Sequence, residues 1–259
     1  MTSLPKRPIA FIDSGIGGLS ILNALAHSLS ADEIIYFADA AHLPYGQKKY
    51  DFLLERATVI SRFLQSQNVS TVYVACHTLS STVLSELQGL FPEITYIDCL
   101  PPTITAVLQK SHLKKIGVMA TQATIKGGTH KKLLQMVDPA CTVIEQSCPL
   151  FVDLIEQQAS REKLSAAIKL YLEPFVKADV DTIILGCTHY WFIKDLLESL
   201  APTITFISAS TALQKPSQNV THPTIRLITT ASLGYLNQAC NRYFEHKNCC
   251  KVVMEAVSI

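Results

Sequence analysis

The chain has 259 residues, 48% of them apolar and 17% charged, with 22 basic and 21 acidic side chains for a net charge of +1. That balance belongs to a folded globular chain with ample core, and it excludes a disordered chain, a basic nucleic-acid binder and a binder of anionic membranes. No run approaches the roughly 18 apolar residues needed to span a bilayer, and the N-terminal apolar run is too short for a secretory signal, so a cytoplasmic location is expected.

In chain order, β-rich apolar runs at 8–13, 33–39, 71–76, 94–99, 115–121, 141–146, 181–187, 204–208 and 225–230 alternate with stretches of helical period, among them 50–66, 79–89, 161–178 and 191–200. Strands this continuously apolar are buried on both faces. The alternation predicts an α/β fold of doubly wound parallel sheets joined by crossover helices. Two breaks divide it. Pro101 and Pro102 follow a strand, and 208–223 is polar and proline-bearing. The expected domains are therefore 1–99 plus 211–259, and 100–210.

The eight cysteines include no CxxC pair and no framework spacing, and adjacent Cys249 and Cys250 cannot easily bridge each other. In a reducing compartment no disulfides are expected; Cys99, Cys141 and Cys240 read as small buried apolar residues. The lysine pairs at 48–49, 114–115 and 131–132 read as solvated surface charge.

Ligands of open α/β sheets gather at the carboxyl ends of strands, and Asp13, Ser14, Asp39, Cys76, Thr121 and Cys187 all fall at such ends. The turn "DSGIGGLS" sets Gly15, Gly17 and Gly18 between a strand and a helix, where backbone N–H groups can approach an anion. Ser20 stands where the dinucleotide fingerprint needs its third glycine, so a carboxylate cradle suits this turn better than a phosphate loop. Tight packing alone is the competing explanation.

"YVACHT" at 73–78 and "LGCTHY" at 185–190 give Cys76 and Cys187 matched settings 187 − 76 = 111 residues apart. Each thiol is expected at a helix N-terminus, a setting that lowers its pKa. Two such thiols, one ionised and one not, can invert a carbon by taking a proton from one face and supplying one to the other. A core role for either cysteine, a zinc site of Cys76, His77, Cys187 and His189, and a Cys–His hydrolase compete with that pairing.

"FIDSGIGGLSIL", "YFADAAHLPYG", "ACHT", "CPLFVDLIE" and "LGCTHY", in this order and spacing, resemble the motifs of the cofactor-independent glutamate racemases of the aspartate/glutamate racemase superfamily, over about residues 8–235. The resemblance implies two α/β domains facing each other across a central cleft. It implies racemisation of a small-molecule amino acid, glutamate, without pyridoxal phosphate, other cofactor or metal, to supply D-glutamate for peptidoglycan. Cys76 and Cys187 would be the acid/base thiols, Cys76 acting on the D-enantiomer and Cys187 on the L-enantiomer. Asp13 and Ser14 would contact the substrate and poise Cys76, Tyr45 and Gly46 would hold the amino acid, and Thr78 and Thr188 would bind its carboxylate and amino groups. His189 would stand beside Cys187, with Glu156 supporting that side. A homodimer is left open.

Three departures stand out. His77 replaces the family's Asn, Ala40 replaces a common hydroxyl residue, and "SASTAL" near 208 lacks the family's Asp-Ser. Imidazole has an ordinary pKa of about 6.5. His77 is therefore expected to join the substrate-binding set, to stabilise the Cys76 thiolate when protonated, and to govern the acidic limb of the pH–rate profile; space-filling is the alternative. Aspartate or another amino acid as substrate, and a diverged binding protein without turnover, also stay open.

Overall fold

The computed structural model describes residues 6–213, 223–248 and 250–259. Most of the polar break at 208–223, and Cys249, lie outside the described residues. The nine expected strands form: β1 (Ile9–Asp13), β2 (Glu33–Ala38), β3 (Thr71–Val74), β4 (Thr95–Asp98), β5 (Lys115–Ala120), β6 (Thr142–Ser147), β7 (Thr182–Gly186), β8 (Thr205–Ser208) and β9 (Thr224–Thr229). A tenth, β10 (Val252–Ala256), joins them without having been expected. It is a half-buried edge strand in which Glu255 follows only three apolar residues, too weak a pattern to stand out.

The strands make two sheets, ordered β10-β9-β2-β1-β3-β4 and β6-β5-β7-β8. Every strand pairing among the described residues is parallel. Each sheet is buried on both faces because side chains alternate along a strand. Ala10 and Ile12 of β1 pack in one core with Leu53, Ala57, Ile60 and Leu64 of helix Tyr50–Ser66. Phe11 packs in the opposite core with Leu22, Leu25 and Leu236. In the second sheet, Ile183 and Leu185 face Ile168, Leu172 and Phe175 of helix Arg161–Lys177, while Ile184 faces Ile104 and Val107 of helix Leu100–Lys110. The chain leaves the first sheet's core at Leu100 and enters the second's at Ile104; it returns between Ile207 and Ala209. No helix among the described residues is long and apolar enough to cross a membrane.

Asp39, at the end of β2, is fully buried and ties the first sheet together. Its carboxylate accepts from Arg56 Nε at 2.9 Å and Nη2 at 3.0 Å, from Thr230 Oγ1 at 2.9 Å and from Tyr45 O–H at 2.5 Å, and it pairs with His42 Nδ1 at 2.8 Å. Burial alone would raise this carboxyl, but the hydrogen bonds from Arg56, Tyr45, His42 and Thr230 together hold it below its usual range. The resulting stability is present above the ordinary carboxylate value of about 3.9 and is lost as pH falls through the lower folded value. Replacing Arg56 by Met leaves that buried charge without its main partner. The variant is expected to lose about 3–5 kcal/mol of unfolding free energy at pH 7, read by urea denaturation, with a smaller loss below pH 4. A loss under about 0.5 kcal/mol would show that Asp39 does not depend on Arg56.

Candidate active site

Strands β1 and β3 are neighbours whose chains leave in opposite directions along the sheet, as are β5 and β7 in the second sheet. Such reversals open a crevice at the carboxyl ends of the strands. Asp13 ends β1 and Cys76 follows β3; Thr121 follows β5 and Cys187 follows β7. Cys76 caps helix His77–Thr82, and Cys187 caps the 3-10 turn Thr188–Ile193. The helices expected at 79–89 and 191–200 thus begin earlier and are interrupted. One breaks at Val83 before Leu84–Leu90, and the other turns α-helical only at Lys194–Leu200.

The two crevices meet in one cavity. Ser14, Tyr45, Gly46, Cys76, His77 and Thr78 line it from the first sheet's side, and Thr121, Val152, Cys187, Thr188 and His189 from the second's. It measures about 10 Å³, room for about one water molecule. Cys76 and Cys187 are 5% and 8% exposed. Asp13 and Glu156 stand outside the lining. Thr188 Oγ1 donates to Asp13 at 3.3 Å, and Glu156 pairs with His189 Nε2 at 2.7 Å while accepting from Tyr235 O–H at 3.2 Å. Asp39 also faces away from the cavity, onto Arg56.

Glycine makes this closure sterically feasible at two places. A Cβ on Gly17 would lie 2.3 Å from Thr188 Oγ1, and one on Gly46 would lie 2.4 Å from the Thr121 Cβ. Between them, Thr78, Thr121 and Thr124 join hydroxyls across the sheets at 2.9–3.2 Å. Thr124, Tyr235 and His130 carry no spacing signal; only contact across the fold reveals them.

The glycine turn does cradle a carboxylate, but the chain's own. Gly18 N–H donates to Asp13 at 2.9 Å, and the Gly15 and Ser14 amides add to it. Burial raises the Asp13 carboxyl; the charge on His189 and these amides pull it partly back. The expectation of an acidic thiol fails at Cys76. Burial, then the charge of Asp13, pushes it well above the usual thiol range despite the Leu79 and Thr78 amides, because two peptide N–H groups do not replace lost water. His189 goes the other way. Burial would discharge it, but hydrogen bonds to Cys187 and Glu156 raise it to about 10.

His77 corrects a second expectation. It is 2% exposed, and its Nδ1 lies 3.1 Å from Nε2 of His130, itself 1% exposed, with the rings stacked 5.3 Å apart. Burial, then the neighbouring imidazole, drives His77 well below its ordinary value; burial takes His130 to about 4. A neutral His77 cannot supply positive charge to Cys76. Of the four ligands in the competing zinc set, His77 is turned to His130 and His189 to Glu156. Among the described residues, no group of three or more His, Cys, Asp or Glu side chains is placed to hold a metal ion.

Residues 15–214 match the Asp/Glu/Hydantoin racemase family. A glutamate racemase of a Sulfurihydrogenibium species is 34% identical over 215 residues, covering 82% of each chain, and one of Pseudomonas syringae is 32% identical over 215 residues, covering 82% of this chain and 78% of its own. Among solved structures, a glutamate racemase isoform of Bacillus anthracis superposes with a TM-score of 0.86 at 26% identity over 99% of both chains. The Francisella tularensis glutamate racemase in complex with D-glutamate gives 0.85 at 28% identity over 98% of both. The chain belongs to the Asp/Glu/hydantoin racemase family.

The neutral His77–His130 pair is directly measurable. In an NMR titration neither ring is expected to change charge between pH 8 and 6, and His130 changes only near pH 4. As pH falls through about 6.5, unfolded imidazoles bind protons that the folded pair refuses, so folding stability should decline there. A ring titrating near 6.5 in the folded protein would refute the assignment.

Proposed function

We propose that this chain interconverts L- and D-glutamate by passing the α-proton between Cys76 and Cys187. The observation that carries this is the placement of two thiols, each after the corresponding strand of its own sheet, on one shared cavity. Membership of the racemase family and the relatives' names support glutamate as the substrate.

The surroundings of the two sulfurs support this direction of proton transfer. Cys76 is held as a thiol by burial and Asp13. His189 keeps its proton up to about pH 10, placing an imidazolium beside the Cys187 sulfur, the positive charge that a thiolate needs. From this state Cys187 takes the α-proton of L-glutamate while the Cys76 S–H protonates the opposite face. The products are D-glutamate, a Cys187 thiol and a Cys76 thiolate; the reverse reaction runs from that second state. Close like charges oppose each other, so the mechanism uses one thiolate and one thiol at a time. Ser14, Tyr45, Gly46, neutral His77, Thr78 and Thr188 grip the amino acid. Asp13 acts through Thr188, and Glu156 acts through His189.

A cavity for one water admits no amino acid, so we take residues 1–99 with 211–259, and residues 100–210, as two bodies that part for substrate. The work of such an enzyme is to supply D-glutamate for peptidoglycan in the cytoplasm.

Circular dichroism of L-glutamate, D-glutamate and both aspartate enantiomers tests the assignment. Glutamate should lose or gain rotation toward the racemic value from either side, and faster than aspartate. Cys76→Ala and Cys187→Ala should each cut the rate by about 10²–10⁴-fold with the fold retained. Undiminished activity in either variant, or a preference for aspartate, would overturn the proposal.

A further inference from the structure

Gly46 borders two spaces. On one side is the closed cavity; on the other is an open pocket of about 510 Å³, within the size range of small-molecule sites. Lys48, Lys49 and Tyr50, ahead of and opening helix Tyr50–Ser66, line it from the first sheet's side; Gln122 and Lys126 of helix Gln122–Gly127 line it from the second's. Among the described residues none of these three lysines is ion-paired. Lys48 instead lies over the Phe52 ring, 5.2 Å from its centroid. The nearby acids are Glu86, hydrogen-bonded to Tyr50, and Asp51. Three cations without an ion pair among the described residues, from two separate elements around one pocket, are more than a solvated surface requires, in a chain whose net charge is only +1.

We infer that this pocket is the capture site through which the acidic amino acid reaches the thiols, with the Gly46–Thr121 contact as the partition that must open between them. The inference rests on the glutamate assignment above and adds the route and its charge. A dicarboxylic amino acid with net charge −1 is drawn to three ammonium groups, which concentrate it at the one wall the pocket shares with the cavity. None of the three lysines touches the cavity itself, so their removal leaves the proton-transfer machinery intact.

The test compares wild type with the Lys48→Gln/Lys49→Gln/Lys126→Gln triple variant and the corresponding triple Lys→Arg variant, measuring glutamate racemisation from 20 to 300 mM NaCl. In the Gln variant KM should rise about tenfold at low salt with kcat unchanged, and the salt dependence of KM should flatten. The Arg variant should keep wild-type KM. Inorganic phosphate, as a probe anion, should compete with glutamate in wild type and weakly in the Gln variant. An unchanged KM and salt slope in the Gln variant would overturn the inference. So would equal damage in both variants, or lysine-dependent phosphate binding that leaves glutamate kinetics untouched, which would mark an effector site. A wild type that racemises no glutamate would instead remove the functional assignment itself.

Discussion

Two contacts that only glycine permits, Gly17 against Thr188 and Gly46 against Thr121, let the two sheets close on each other around one small cavity. The behaviour of the site follows from that closure. Water is excluded down to about one molecule's space, and desolvation is the leading cause of the shifts at Cys76, His77, His130 and Asp13 in and beside it. It keeps Cys76 protonated, His77 and His130 neutral, and Asp13 raised. His189 escapes because Glu156 and Cys187 both hydrogen-bond to it. The same closure leaves no room for an amino acid in the cavity as it stands.

The paired cysteines reflect a paired architecture. β2-β1-β3-β4 and β6-β5-β7-β8 have the same strand order when each set is counted from its own first strand. In both, a polar residue ends or follows the first strand and a cysteine follows the third. Two copies of one crevice, set face to face, place a thiol on either side of a single small space. A reaction that must treat mirror-image substrates alike needs such near-symmetry; the electrostatics break it by supplying an imidazolium beside Cys187 alone.

Much of this was legible in the chain. The strands declared themselves by continuous apolar runs, and the cysteines by standing at the ends of two of them. Nine of the cavity's lining residues, from Ser14 to His189, were expected on motif grounds and do converge. What the chain could not display were partners brought in by folding. His130 lies 53 residues from His77 and turns an expected cation into half of a neutral pair. Arg56 converts Asp39 from a candidate ligand group into a structural anchor. Asp13 captures the glycine-turn amides that had looked ready for a ligand. Helix N-termini suggested an acidic Cys76 thiol, but burial is a property of the whole fold and outweighs them. Lys48 and Lys49 looked like ordinary surface until Lys126 joined them around one pocket.

The central claim is that two separate thiols face opposite sides of the α-carbon. It is tested most directly by racemising L-glutamate in deuterated water and following the α-position of each enantiomer at low conversion. Because the acid that protonates one face is not the base that deprotonated the other, D-glutamate should form with solvent deuterium at the α-carbon while the remaining L-glutamate stays protiated. Deuterium appearing equally fast in recovered L-glutamate, or D-glutamate that retains the original proton, would mean a single shared base and would contradict the two-thiol site.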